Sequence, residues 1–339
     1  MIEIIPTDGL QDGEMPLGRF CGFHLDRSRP SVETRWFLNH NRIWNVKPLC
    51  DWTHHEELKL FPEAPGHYTL AIQWRDVDGS GGWVRHRFLV NPAGSSFQPT
   101  RAGARQGLEY WAPNANEAQG ISAYESALLA RLSELVPAGA VVYDIGANIG
   151  LYAAPLSRAV GENGQVLCFE PNPVCIAYLQ ANLERNRCDN CRILPLAITA
   201  GEDRVPFTIN FANTLLGLSH NSAFYGSKVG QEVLVPGSTL DRLTVDMELP
   251  DPTVMKIDVE GAEHALLPGM EAVLERARPL LLFEIHGEAV AAVVLPFLDR
   301  FGYRYEDADL GSHFADAPSL LESFAKGVRQ IICHPPTDA

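Results

Sequence analysis

Residues 141–153, VVYDIGANIGLYA, constrain this chain more than any other stretch: an apolar run, a turn with glycines at 146 and 150, then the start of a helical pattern. Gly146 and Gly150 permit a tight turn and a close approach of backbone to a ligand. The amides at the helix N-terminus then face that ligand. A dinucleotide-binding turn would carry G-x-G-x-x-G here, but Asn148 and Leu151 stand at the second and third glycine positions. A nicotinamide cofactor therefore fits poorly. Asp144, just before the turn, would repel a pyrophosphate and suits a cationic ligand, such as one with an ammonium and a sulfonium.

The same strand-helix period recurs downstream. Strands are expected at 141–145, 165–169, 192–198, 254–257 and 280–285, with helices at 122–135, 151–160, 174–185, 263–276 and 288–301. The tail segments GYRYEDA and VRQIICHPP close the pattern as two more strands. Such repeats predict a Rossmann-like α/β domain built on a mainly parallel, seven-stranded sheet, with its ligand site at the carboxyl ends of the strands. Residues 201–237 interrupt the alternation and read as a β-hairpin and loop over the sheet edge, with Asn213, Ser219, His220, Asn221 and Tyr225 suited to a hydroxylated acceptor.

Two carboxyl-end clusters follow. Glu170, ending VLCFEPNP, is placed to accept from both hydroxyls of a ribose. MKIDVEGAE sets Lys256, Asp258, Glu260 and Glu263 at a strand end and helix start, where Glu260 and Glu263 could equally be caps. The neighbouring strand ends in Glu284-Ile285-His286-Gly287, and alternation puts Glu284 and His286 on one face beside Asp258. His286, with an ordinary pKa near 6.5, is a candidate general base, and Asp258 or Glu260 could orient it or take the proton. No metal is required, although Asp258, Glu284 and His286 are the set that could hold Mg²⁺.

The segments AYES at 123–126, YDIGANIGLYAAPLSRAVGENGQVLCFEPNP, STLDRL at 238–243, MKIDVEGAEHALLPG and LLLFEIHG resemble the FkbM family of S-adenosylmethionine-dependent methyltransferases over roughly 124–302. The resemblance implies a class I methyltransferase domain in which Glu125, Gly146, Asn148 and Gly150 line the methionine part of S-adenosyl-L-methionine, and Glu170 with Asn172 its nucleoside. It also implies an O-methyltransferase whose partner is a small-molecule or glycan acceptor, a hydroxyl of a sugar or polyketide-like compound. The alternative is a glycan-binding or assembly protein with a vestigial methyltransferase domain, against which the intact acids at Asp258, Glu260 and Glu284 speak.

At 339 residues the chain exceeds one ordinary core, so two domains are expected. Residues 1–95 carry short apolar runs broken by turns, predicting strands at 18–25, 34–38, 57–61, 67–74 and 83–90 and a hairpin through DVDGSGG. With Trp36 as a buried strand tryptophan and Tyr68 as a corner tyrosine, this stretch resembles a small immunoglobulin-like or PKD-like β-sandwich. Residues 96–121 are read as the linker and 122–339 as the methyltransferase domain. Trp52, His54, His55, Trp74 and Trp83 invite a carbohydrate-binding role, against the plainer one of core tryptophans.

A net charge of −15 argues against nucleic acid as a partner. The apolar runs are too short to insert in a membrane, and the N-terminus lacks a basic stretch followed by an apolar one, so a cytoplasmic location is expected. Seven cysteines without a disulfide rhythm suggest reduced thiols, and Cys188 and Cys191 form a CxxC without the partners a zinc site needs. A homo-oligomer is compatible with all of this.

Overall fold

The computed structural model describes residues 2–8, 14–16, 21–27, 33–40, 44–45, 57–60, 66–91, 96–100, 103–112, 125–210, 217–219, 222, 230–308, 310–324 and 327–336. Tyr124, Trp52, His54, His55, Asn213, His220, Asn221 and Tyr225 lie outside the described residues.

The N-terminal third forms two β-sheets. One contains β1 (Ile2–Asp8), β3 (Cys21–Arg27) and β6 (Glu57–Leu60), in the order β1-β3-β6. The other contains β2 (Glu14–Pro16), β4 (Glu33–His40), β7 (Gly66–Arg75) and β8 (Gly81–Asn91), in the order β2-β8-β7-β4. Alternation puts Trp36, Leu70, Ile72 and Phe88 inside. Phe23 of β3 lies 5.3 Å from Phe88 of β8, and Tyr68 stacks on Phe88 at 5.4 Å. The two-residue strand β5 (Trp44–Asn45) pairs elsewhere, with Val233 and Leu234 of a later strand.

The segment read as a linker carries structure of its own. β9 (Ser96–Pro99) and β10 (Glu109–Ala112) pair antiparallel. The amides of Glu109 and Trp111 donate to the side chains of Asn186 and Asn182. Arg105 is fully buried, its Nε donating to the carbonyl of Leu151 at 2.9 Å. Glycine and proline content signals turns, but says nothing about asparagines some 70 residues away in sequence that satisfy the backbone.

From residue 126 helices and strands alternate as expected. Helix α1 (Ser126–Leu135) precedes β11 (Val141–Ile145), α2 (Ala153–Val160), β12 (Gln165–Phe169), α3 (Pro173–Arg185) and β13 (Cys191–Leu194). The strand expected at 192–198 stops at Pro195, which cannot donate to a ladder. Its remainder, β14 (Ala197–Ile198), pairs instead with β17 (Gly230–Ser238) of the insertion. There β17 pairs antiparallel with β15 (Arg204–Asn210), which pairs in turn with β16 (Gly217–Ser219), so the expected hairpin forms. After α4 (Leu240–Asp246) and β18 (Val254–Ile257), the helix expected at 263–276 divides into α5 (Glu263–Leu266), a 3₁₀ turn and α6 (Glu271–Ala277). The break holds Pro268 and Gly269; a Cβ at Gly269 would come within 2.0 Å of the Thr199 carbonyl oxygen.

The chain closes with β19 (Leu280–His286), α7 (Glu288–Asp299), β20 (Arg304–Asp307), β21 (Ser312–Phe314), α8 (Ala317–Ser323) and β22 (Val328–His334). The large sheet runs β13-β12-β11-β18-β19-β22-β20-β21. The first five strands are parallel, β22 is antiparallel to both β19 and β20, and the short β21 adds an eighth strand beyond the expected seven. An all-parallel dinucleotide-binding sheet runs 3-2-1-4-5-6. Here a reversed strand is inserted between the fifth and sixth, giving a class I methyltransferase-like α/β fold.

The five described cysteines whose side chains are placed are free, with Cys188 and Cys191 set against the carbonyls of Ala154 and Ala153. Among the described residues no helix is long and apolar enough to cross a membrane.

Candidate active site

The glycine turn sits where β11, β12 and β18 end together. The amide of Gly146 donates to the Phe169 carbonyl, and the amide of Asp258 to that of Ile145. Gly146 has φ +81°, and a Cβ on it would lie 1.8 Å from the Asp258 carbonyl oxygen. Only glycine lets the turn rest against that strand end. Asn148 takes φ +50° and its amide donates to Glu170 Oε2 at 2.8 Å, while Glu170 Oε1 accepts from the Asn172 amide at 2.7 Å. Asn172 caps α3, accepting from the Val174 amide at 3.0 Å. Both Glu170 oxygens are thus fixed and each retains a lone pair for a ligand hydroxyl. Burial pushes this carboxyl up to about 7, against the two amide hydrogen bonds.

An open cleft of about 670 Å³ begins here, with Gly146, Asn148, Glu170 and Asn172 on its polar side. Its apolar wall is Phe169, Leu196, Ile198 and Phe207, the last from the inserted hairpin. Asp258 and Glu260 line it too. Among the residues singled out from the sequence, Gly150, Asp144, Glu125, Glu284 and His286 do not line this cleft.

Asp144 is fully buried, and neither carboxylate oxygen has a hydrogen-bond partner among the described residues. Register sets it opposite Lys256, whose Nζ is 3.9 Å from Asp144 Oδ1, 3.0 Å from Asp258 Oδ2 and 3.2 Å from the Gly146 carbonyl. Burial pushes Asp144 up to about 6, with Lys256 pulling the other way. Burial likewise opposes the charge on Lys256, but Asp258, Asp144 and Glu284 outweigh it and raise its pKa. The positive charge that the sequence asked for beside Asp144 is therefore supplied by the protein itself.

A second group meets at the ends of β18 and β19. Glu263 is fully buried; its Oε1 accepts from the Gly261 amide at 3.1 Å and lies 2.8 Å from His286 Nδ1. It caps no amide of its helix, but ties the preceding turn to the imidazole. That bond directs His286 Nε2 toward Glu284 Oε1 at 3.6 Å and Glu260 Oε2 at 3.7 Å. Burial opposes protonation of the imidazole, but Glu263, Asp258 and Glu260 prevail and move it up to about 9. Glu284 is pushed up to about 8 by burial and by Asp258 and Glu125. Gln330, opposite Glu284 in register, donates to Glu284 and to Glu125 Oε1, and Tyr152 donates to Glu125 Oε2 at 2.8 Å. Asp258, Glu284 and His286 each offer one ligand atom within 4.8 Å of the others.

Sequence reasoning missed the role of Lys256, the bridge through Gln330 and the apolar wall. Lys256 left a signal, being a charge inside the apolar run VMKI. Gln330 left none, because its neighbours come from β19 and α1, far away in sequence.

Strand order, glycine turn and strand-end acids together define a methyltransferase-type domain. Residues 144–305 match the Methyltransferase FkbM domain family, and Glu125 lies before the matched stretch. The chain is 28% identical over 146 residues to the hexuronic acid methyltransferase AglP of Haloferax volcanii, covering 43% of this chain and 56% of that protein. It is 28% identical over 202 residues to the methyltransferase sdnD of Sordaria araneosa, covering 50% of this chain and 70% of that one. The chain thus spans little more than half the length of the first relative. Among solved structures, methyltransferase FkbM from Methylobacillus flagellatus KT aligns at 16% identity with a TM-score of 0.35, covering 57% of this chain and 43% of that one.

Proposed function

We propose that the chain is an S-adenosyl-L-methionine-dependent O-methyltransferase acting on a hydroxyl of a sugar or polyketide-like small molecule. The observation that carries this is the continuity of the site: one cleft runs from Glu170, past the Gly146 turn, to Asp258 and Glu260, whose far side is His286. S-adenosylmethionine supplies a methyl group on a sulfonium. Glu170 and Asn172 would hold the nucleoside, Phe169 and Phe207 its apolar face, and Gly146 and Asn148 the methionine end. The fit is supported by a carboxylate with lone pairs to spare and by a turn that any Cβ would displace. The FkbM family match supports the reaction, and the name of the first relative supports a sugar acceptor.

Donor and acceptor must be aligned and dry, and a hydroxyl acceptor must lose its proton. His286 Nε2 is the group for that proton, with Glu263 on Nδ1 fixing the ring. Glu284 and Glu260 flank Nε2 and stabilise the imidazolium once it forms. A hard cation on Asp258, Glu284 and His286 is a second reading of the group, favoured by their spacing. Either role needs the neutral ring; the base reading is preferred because the Glu263 bond to Nδ1 fixes the ring with Nε2 turned toward Glu260 at the cleft.

With His286 protonated below about 9, activity as a base needs the neutral ring. The rate of labelled-methyl transfer to a glycan or small-molecule extract is therefore expected to rise with pH through a midpoint near 9 and to level off only above it. Glu263→Gln removes the carboxylate from Nδ1 and should move the midpoint down toward the free-imidazole value of about 6.5. A profile flat from pH 6 to 9, or one that Glu263→Gln leaves in place, would remove His286 from this role. Absence of transfer with intact cofactor binding would favour a vestigial enzyme domain.

A further inference from the structure

The two faces of the four-stranded N-terminal sheet differ sharply in chemistry. Trp36, Leu70, Ile72 and Phe88 point inward and are buried. Trp74, the neighbour of that inner set, packs its indole against Gly82. Trp83 points outward and is 44% exposed, and it is the only aromatic among the large exposed hydrophobic residues described. The tryptophans of the module thus divide between core and surface.

Cross-strand register places Arg35, Gln73 and Trp83 in one row of the outer face, and Phe37, Ala71 and Arg85 in the next. The following row carries Thr69 and Arg87. Phe37 and Trp83 lie 5.2 Å apart, and the Arg85 guanidinium carbon is 5.9 Å from the Trp83 ring centroid. Ala71 between them is small and fully buried, so the larger side chains close over it into one surface. Four arginines (Arg35, Arg75, Arg85 and Arg87) and two glutamates (Glu33, paired with Arg75, and Glu14, in register with Leu89) occupy the described positions of this face. That is a basic surplus of two on a chain whose net charge is −15.

We propose that this face binds an acidic glycan, a chain of sugars bearing carboxylates. An exposed indole beside a phenyl ring offers an apolar platform for the C–H face of a pyranose. Guanidinium groups pair with carboxylates in a planar, two-bonded fork that a lysine cannot form. Arg85 and Arg87 stand on the same face of one strand about 7 Å apart, and their long side chains let carboxylates on neighbouring sugars meet separate arginines. A nucleic acid would also meet bases and phosphates here, but its dense charge would be repelled by the rest of an acidic molecule. Strand β5, which begins four residues after the end of the Arg35 strand, pairs with β17 of the inserted sheet whose β15 carries Phe207 into the cleft. The glycan-binding face and the cleft wall that carries Phe207 are therefore linked through β5.

The test is calorimetric titration of the full chain, without a methyl donor, by hexagalacturonate, neutral maltohexaose and a six-nucleotide single-stranded RNA. Because no donor is present, failure here leaves the transfer reading standing, and failure of transfer leaves this one standing. Saturable binding of hexagalacturonate that weakens as salt rises is expected, with maltohexaose and RNA at least tenfold weaker. Trp83→Ala and, separately, Arg87→Glu should each weaken it about tenfold or more. Near-ultraviolet circular dichroism of both variants shows whether the fold is kept. No binding of hexagalacturonate, equal binding of maltohexaose, tighter binding of the RNA, or unchanged affinity in both folded variants overturns the proposal.

Discussion

Lys256→Met should be among the most destabilising single substitutions in the α/β domain, lowering stability by about 3–5 kcal/mol. The methionine replaces an ammonium that lies 3.0 Å from Asp258 and 3.9 Å from the fully buried Asp144. The Coulomb partner disappears while the buried carboxylates stay. Asp144 can escape by taking up a proton, and the direction of the pH dependence follows from that. Its folded pKa, already about 6 against about 3.9 in an unfolded chain, rises further when Lys256 is gone. A carboxyl whose folded pKa exceeds its unfolded value is more readily kept folded at low pH, and stability is lost as pH rises through the folded value. The penalty for Lys256→Met, read from urea unfolding, should therefore be smaller at pH 5 than at pH 8. An equal loss at both pH values would show that packing, and not charge, sets the cost.

Gly146→Ala should be nearly as severe and should also strip the site of its ligand. The new Cβ would stand 1.8 Å from the Asp258 carbonyl oxygen, a backbone atom that cannot rotate away. The turn must move off β18, carrying the Gly146 carbonyl away from Lys256 and the Asn148 amide away from Glu170. A displacement of about 1 Å in such a site costs on the order of a hundredfold in function. Gly139→Ala is the control, because Gly139 has a similar φ of +80° with open space around it. It should show only the intrinsic cost of a left-handed alanine, about 1–2 kcal/mol. If the two variants bind S-adenosylhomocysteine alike, the contact with Asp258 is not what the glycine is for.

Much of the α/β domain is legible because its signals are local. The run VVYDI, the glycine at 146, the proline and asparagine at the start of α3 and the acids at strand ends each speak through neighbours a few residues away. The insertion was recognisable as a hairpin from its break in period, and the break at Pro195 follows from a missing donor. What stayed hidden depends on partners distant in sequence. Glu263 looks like a cap, but its carboxylate accepts from the turn before the helix, and only the fold brings His286 Nδ1 within 2.8 Å of it. Asp144 suggested a cationic ligand, and the nearby charge is Lys256, one strand away. The stretch around Arg105 looked like a connector, because a buried arginine on a carbonyl of α2's approach has no periodicity to announce it.

The most direct measurement is calorimetric titration of the purified chain with S-adenosylhomocysteine, repeated with Glu170→Ala. The wild type should bind one equivalent, and the variant, deprived of two charged acceptors for ribose hydroxyls, should bind on the order of a hundredfold more weakly. No heat with the wild type, or an affinity that Glu170→Ala leaves untouched, would contradict the assignment of this cleft to the methyl donor.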